Sequence, residues 1–151
     1  MAPTVVDSTC LIALERIGRL DILPALFPEI VAPPAVAEEF GSALAWMTVR
    51  AVSNEIFTAS LRTQLHRGEA ETIALAAEIM ADRIVLDDKK ARRIARQMGL
   101  RSIGTVGVIL RARRDGIVPL CRPVLDALAR EGFYMSDALF QEALRQAGET
   151  R

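Results

Sequence analysis

The stretch IVLDDKK, Ile84 to Lys90, runs through apolar residues into two aspartates and two lysines. TVVDSTC, Thr4 to Cys10, does the same near the start of the chain and meets its carboxylate at Asp7. Short apolar runs without alternation read as strands buried on both faces, as in a parallel sheet covered by helices. In such a sheet ligands sit beyond the carboxyl ends of the strands, near the point where strand order reverses. Asp7 and Asp87 both occupy such ends.

The strand candidates are Thr4–Asp7, Glu29–Ala32, Trp46–Val52, Ile84–Asp87 and Arg101–Ile103. Between them lie stretches of helical period. STCLIALERIG follows Asp7 and closes near Gly18, Asp21–Phe27 is broken by Pro28, and Pro33 and Pro34 suit a first helical turn, where no amide donor is needed. NEIFTASLRTQL is a further helix. Ile73, Ala76, Ala77 and Met80 form one apolar face, Ala91, Ile94, Ala95 and Met98 another, and Gly104 to Arg145 reads as helices separated by Gly and Pro. The alternation predicts an α/β domain around a mainly parallel sheet. At 151 residues and 51% hydrophobic content the chain has material for one core, a single domain over 1–151.

Composition removes several classes of function. Lys plus Arg and Asp plus Glu are 19 each, so polyanion binding must come from local clustering and not from a global field. His66 is the only histidine, which disfavours histidine-based zinc sites and histidine-base triads. Cys10 and Cys121 lack metal-ligand spacing and read as small core residues. No apolar run approaches the roughly 18 residues of a membrane span, and MAPTVVD has no signal-peptide character, so the chain reads as soluble and cytoplasmic.

Taken singly, Asp7 and Asp87 are more commonly helix caps than ligands, because capping is common and catalysis rare. Two more acids alter that balance. Glu39 follows the buried face of its helix while Glu38 points sideways, and Glu69 leads the apolar face of GEAETIALAAEIM. Glu71, Leu75, Glu78 and Asp82 line a more acidic side, so Glu71 is expected to point outward. Asp7, Glu39, Glu69 and Asp87 are then candidates for one pocket. Carboxylates without His or Cys suit hard divalent cations such as Mg²⁺ or Mn²⁺, which can polarise a phosphodiester and activate water against it.

In their order and spacing, VVDSTCLIALERIGRL, VAPPAVAEEF, GEAETIALA, IVLDDKKARRIA, GLRSIGTVGVIL and GFYMSDALFQEALRQAGE resemble the PIN-domain nucleases, within them the toxin-like (VapC-like) prokaryotic branch. The resemblance implies a three-layer α/β/α sandwich and metal-dependent cleavage of RNA by three or four acids. It assigns the first aspartate to Asp7, the helical glutamate to Glu39 and the late strand-end acid to Asp87, with Asp88 beside it. The third acid falls on Glu69, with Glu71 as rival, since other branches often have Asp there. Ser8 matches a small hydroxyl residue that orients the first aspartate or a metal-bound water. The resemblance also implies a small antitoxin partner and a homodimer.

Lys89, Lys90, Arg92, Arg93 and Arg96 follow the acidic strand end, with Arg101, Arg111, Arg113 and Arg114 beyond them. They are candidate contacts to RNA phosphates, which supply much of nucleic-acid affinity, or else a solvated helix face. Aromatic residues are few, so stacking platforms are not expected. Two glycines around Thr105 in SIGTVGVIL suit either a phosphate approach or close helix–sheet packing. The rival readings are another Mg²⁺-dependent phosphoryl-transfer enzyme, disfavoured because DST lacks a second aspartate two residues on, and a catalytically idle PIN-like module that binds RNA or protein.

Overall fold

The computed structural model describes residues 2–150. Its strands are β1 (Thr4–Val6), β2 (Ile30–Ala32), β3 (Met47–Val49), β4 (Arg83–Val85) and β5 (Ser102–Ile103). They pair in parallel in the order β3-β2-β1-β4-β5. The chain builds outward from β1 to β3, then returns to the other side of β1 for β4, so strand order reverses between β1 and β4.

The period of two along each strand divides the interior into two cores. Val6, Ile30, Ala32 and Val85 face helices α1 (Ser8–Arg16), α2 (Ile22–Leu26), α3 (Pro34–Phe40), α7 (Thr105–Arg114), α8 (Cys121–Arg130) and α9 (Asp137–Gln146). Val5, Val31 and Ile84 face α4 (Glu55–Arg62), α5 (Arg67–Glu78) and α6 (Lys89–Gln97). Helices on both faces of an all-parallel sheet make the expected α/β/α sandwich.

Most elements lie where their period places them, with instructive exceptions. The strand expected over Trp46–Val52 is confined to Met47–Val49, at the sheet edge, where only Met47 is buried. Leu75, expected on the acidic side of α5, is fully buried, and Met80, expected on the apolar face, is 82% exposed. The reason is that α5 stops at Glu78 and the chain turns through a left-handed Met80 at φ 50°, which takes that side chain off the helical register. Cys10 and Cys121 are buried free thiols, pushed up by burial to about 12 and about 11, consistent with small core residues. Among the described residues no helix is long and apolar enough to cross a membrane.

Candidate active site

The switch point between β1 and β4 carries the two strand-end aspartates. Asp7 follows β1 directly and caps α1, its Oδ1 accepting from the Ser8 N–H at 2.8 Å. It is only 5% exposed. Burial pushes its carboxyl up to about 7; the Ser8 N–H pulls the other way, and the charges of Glu69, Glu39 and Asp87 add to the rise. Desolvation thus dominates, and all the other predicted acids reinforce it.

Asp87 and its neighbour divide two tasks. Asp88 is the cap of α6, accepting from the Ala91 N–H at 2.9 Å. Asp87 instead turns to α7, where it receives the Thr105 N–H at 2.8 Å and the Thr105 hydroxyl at 2.6 Å. Burial raises its pKa above the usual carboxylate value, although the Thr105 bonds and the nearby Arg92 oppose this. Sequence reasoning does not single out Thr105. The available signal is its position, first residue of the helix that follows the last strand at the same sheet edge.

The two helical glutamates arrive from α3 and α5. Glu39 is solvent-exposed, yet its Oε1 accepts from the Ser8 hydroxyl, so it reaches the Asp7 edge. Glu69 sits in the first turn of α5 and accepts from the His66 N–H at 3.2 Å. Burial raises its pKa first and the Asp88 charge second. Asp7, Glu39 and Glu69 line one cleft of ≈ 560 Å³. Gly68 forms part of its wall, where a Cβ would lie 3.4 Å from Asp7 Oδ1 and 3.6 Å from Glu39 Oε1. Asp87 and Asp88, with Glu69 again, line an adjoining groove of ≈ 1060 Å³.

Glu71 does not point outward as expected. It is half-buried, accepts from the Ala35 N–H at the start of α3 at 3.1 Å, and pairs with Arg67 at 3.0 Å. The orphan amides of a helix start attract a carboxylate from another element, which a single-helix wheel does not show. Glu38 pairs with the same Arg67 at 2.9 Å.

The basic segment also divides. Lys89 and Arg92 line the groove that holds Asp87, whereas Lys90, Arg93 and Arg96 are exposed and lie off it. None of the five forms an ion pair with a described residue. Tyr134, 84% exposed, lines the same groove, an aromatic available to solvent despite the overall scarcity. Of the two glycines, Gly107 is a packing glycine, since a Cβ would come within 2.7 Å of Ile103 Cγ1. Gly104 leaves room where Asp87 and Arg92 approach, 3.1 and 3.3 Å from its virtual Cβ.

Among the described residues no three His, Cys, Asp or Glu groups stand ready to hold a metal ion. The carboxylates are turned to hydroxyls and helix amides: Glu39 to Ser8, Glu69 to His66 and Asp87 to Thr105. The donor chemistry nevertheless fits a hard cation, with oxygen ligands only and a buried Asp7 on which the charges of Glu69, Glu39 and Asp87 act.

Compared with protein-family models, the chain matches the one described as a PIN domain over residues 3–149. No curated protein matches it. PIN domains are generally nucleases that use divalent metals, which accords with an acidic edge flanked by Lys89 and Arg92, neither of which forms an ion pair with a described residue. The five-stranded parallel sheet and a match over nearly the whole length show that the chain belongs to the PIN-domain family.

Proposed function

We propose that the chain is an endoribonuclease that hydrolyses RNA phosphodiester bonds with Mg²⁺ or Mn²⁺ held by Asp7, Glu39, Glu69 and Asp87. The observation that carries this reading is the state of Asp7: buried at the switch point, pushed up to about 7, and repelled by the other three carboxylates. A group so placed gains most from a divalent cation, which favours its ionised form. When bound, such an ion supplies Lewis-acid polarisation of the phosphoryl group and lowers the pKa of water.

The chain's own residues hold and orient. Ser8 ties Glu39 to the Asp7 edge through its hydroxyl, and Thr105 fixes both oxygens of Asp87. Lys89 and Arg92 draw the phosphate backbone into the groove and offset the charge it brings. Tyr134 offers one face for a base, so recognition rests mainly on backbone and shape.

Cleavage of single-stranded RNA by purified protein with Mn²⁺ tests the reading. Cleavage should vanish with chelator and fall at least ~100-fold in Asp7→Asn, the scale of losing an electrostatic group essential to the transition state. Undiminished cleavage by Asp7→Asn would sink it. A toxin role with a small inhibitory antitoxin rests on the resemblance alone. Growth arrest on expression, relieved by the product of an adjacent short reading frame, is its test; absence of arrest by an active nuclease would remove it.

A further inference from the structure

At the opposite end of β4 from Asp87 lies a second charged feature. Arg83 opens the strand and, by the period of two, faces the same layer as Val85, where it meets the end of α7. Together with Arg111, Arg113 and Arg114 it lines a cleft of ≈ 660 Å³. The Nε atoms of Arg83, Arg111 and Arg113 are buried there without a hydrogen-bond partner among the described residues. Burial and the charges of Arg111 and Arg101 hold the Arg83 guanidinium below the ordinary arginine range, with Asp82 opposing and Arg114 adding.

Nearby acids leave this charge incompletely answered. Glu149 stands 3.6 Å from Arg113 Nε but already accepts the Cys121 and Arg122 amides, and Asp115 is engaged by Arg114 at 3.2 Å. Arg83 and Arg111 make no ion pair with a described residue; Arg111 rests over the Phe27 ring at 5.3 Å. The stack on Phe27 engages the face of the Arg111 guanidinium and leaves its in-plane Nε–H, like those of Arg83 and Arg113, without an acceptor among the described residues. Three guanidinium groups that line one cleft, each with an Nε–H lacking an acceptor among the described residues, match an oxyanion with several acceptor oxygens, as a phosphate has.

Position selects the source of that phosphate. Ile103, Gly107 and Leu110 line both this cleft and the groove holding Asp87, so the two adjoin along β5 and α7. Arg83 and Asp87 are separated along the strand direction by about 13 Å, at ~3.3 Å per residue. We propose that the arginine cleft is a second phosphate site, which holds a backbone phosphate of the RNA strand whose scissile phosphate lies at the acidic edge. This rests on the nuclease reading of that edge. The cleft anchors the strand and sets a minimum substrate length, because a dinucleotide has one bridging phosphate and cannot occupy both sites.

Fluorescence anisotropy in chelator, where no turnover occurs, tests this with a labelled RNA dinucleotide and decamer, against wild type and Arg83→Gln/Arg111→Gln. The decamer should bind at least ~10-fold more weakly to the double variant, with a logarithmic salt slope flatter by ~1.4, or ~0.7 for each single-strand phosphate no longer neutralised. Dinucleotide binding should not change. Arg83→Gln alone, which leaves the Phe27 stack in place, should show about half the slope change, and Arg83→Lys should recover part of the affinity. Decamer binding unchanged in a folded double variant overturns the proposal. So does loss of inorganic phosphate binding, by calorimetry, without loss of decamer binding, which would make the cleft a site for free phosphate. Decamer binding that is weakened in the variant, together with a wild type that never cleaves the decamer on restoring Mn²⁺, would sink the nuclease reading and leave the arginine site standing.

Discussion

Thr105 and Asp87 are joined twice across the carboxyl edge of the sheet, hydroxyl to one carboxylate oxygen at 2.6 Å and backbone N–H to the other at 2.8 Å. The pair ties the strand end of β4 to the start of α7. Thr105 is fully buried, so Thr105→Val keeps the shape and removes one donor. The variant should lose about 1–2 kcal/mol, the scale of a buried charged group deprived of one bond. Asp87 should then protonate at higher pH and cleavage should fall, while Thr105→Ser retains both. Denaturant midpoints and rates for the two variants check this; a Val variant as active as the Ser one would show that Thr105 does not position Asp87.

Glu69 and Glu71 are distinguished by their partners. Glu71→Gln weakens a bond to the Ala35 N–H and the pair with Arg67, so it should lower stability by about 0.5–1.5 kcal/mol and leave cleavage per folded molecule near wild type. Glu69→Gln should do the reverse, with cleavage down ~10-fold or more and little change in melting. Equal losses of activity in the two variants would remove Glu69 from the set of ligands.

Salt dependence separates the cations that line the groove from those that do not. Lys89→Gln and Arg92→Gln should each flatten the logarithmic salt slope of single-strand RNA binding by ~0.7, and Arg93→Gln and Arg96→Gln should leave it unchanged. Uniform effects across all four would make α6 a diffuse basic face.

Stability of the metal-free protein should fall as pH rises. The Asp7 carboxyl is held at about 7 in the folded chain against 3.8 ordinarily, so between those values the folded state keeps a proton that the unfolded state has released. Below this window the group has no effect, within it stability drops by up to about 1.4 kcal/mol per pH unit, and above it the loss is complete. Asp87 and Glu69, both raised, act in the same direction. Urea midpoints in chelator at pH 5 to 8 should decline for wild type and be flatter for Asp7→Asn, with Mn²⁺ restoring stability to wild type at pH 8. A wild-type midpoint that rises over this range contradicts the assignment of Asp7.

Strand composition and helix caps are local chemistry, and they are legible in the residues. VVD and IVLDD mark two strands buried on both faces and put Asp7 and Asp87 at one sheet edge, because period and burial act within a few residues. The ordered motifs carry the family. The directions in which side chains turn across elements are not legible. A helical wheel sends Glu71 outward, but α3 presents the Ala35 amide to it; the same wheel cannot say that Asp88 caps α6 while Asp87 reaches across to Thr105. Arg83 and Arg111 lie far apart in the chain and line one cleft only because α7 packs over the layer that β4 faces. Periodicity reports the face of one element, whereas a site depends on where helix termini from several elements aim, and that is decided only when the sheet brings them to a common edge.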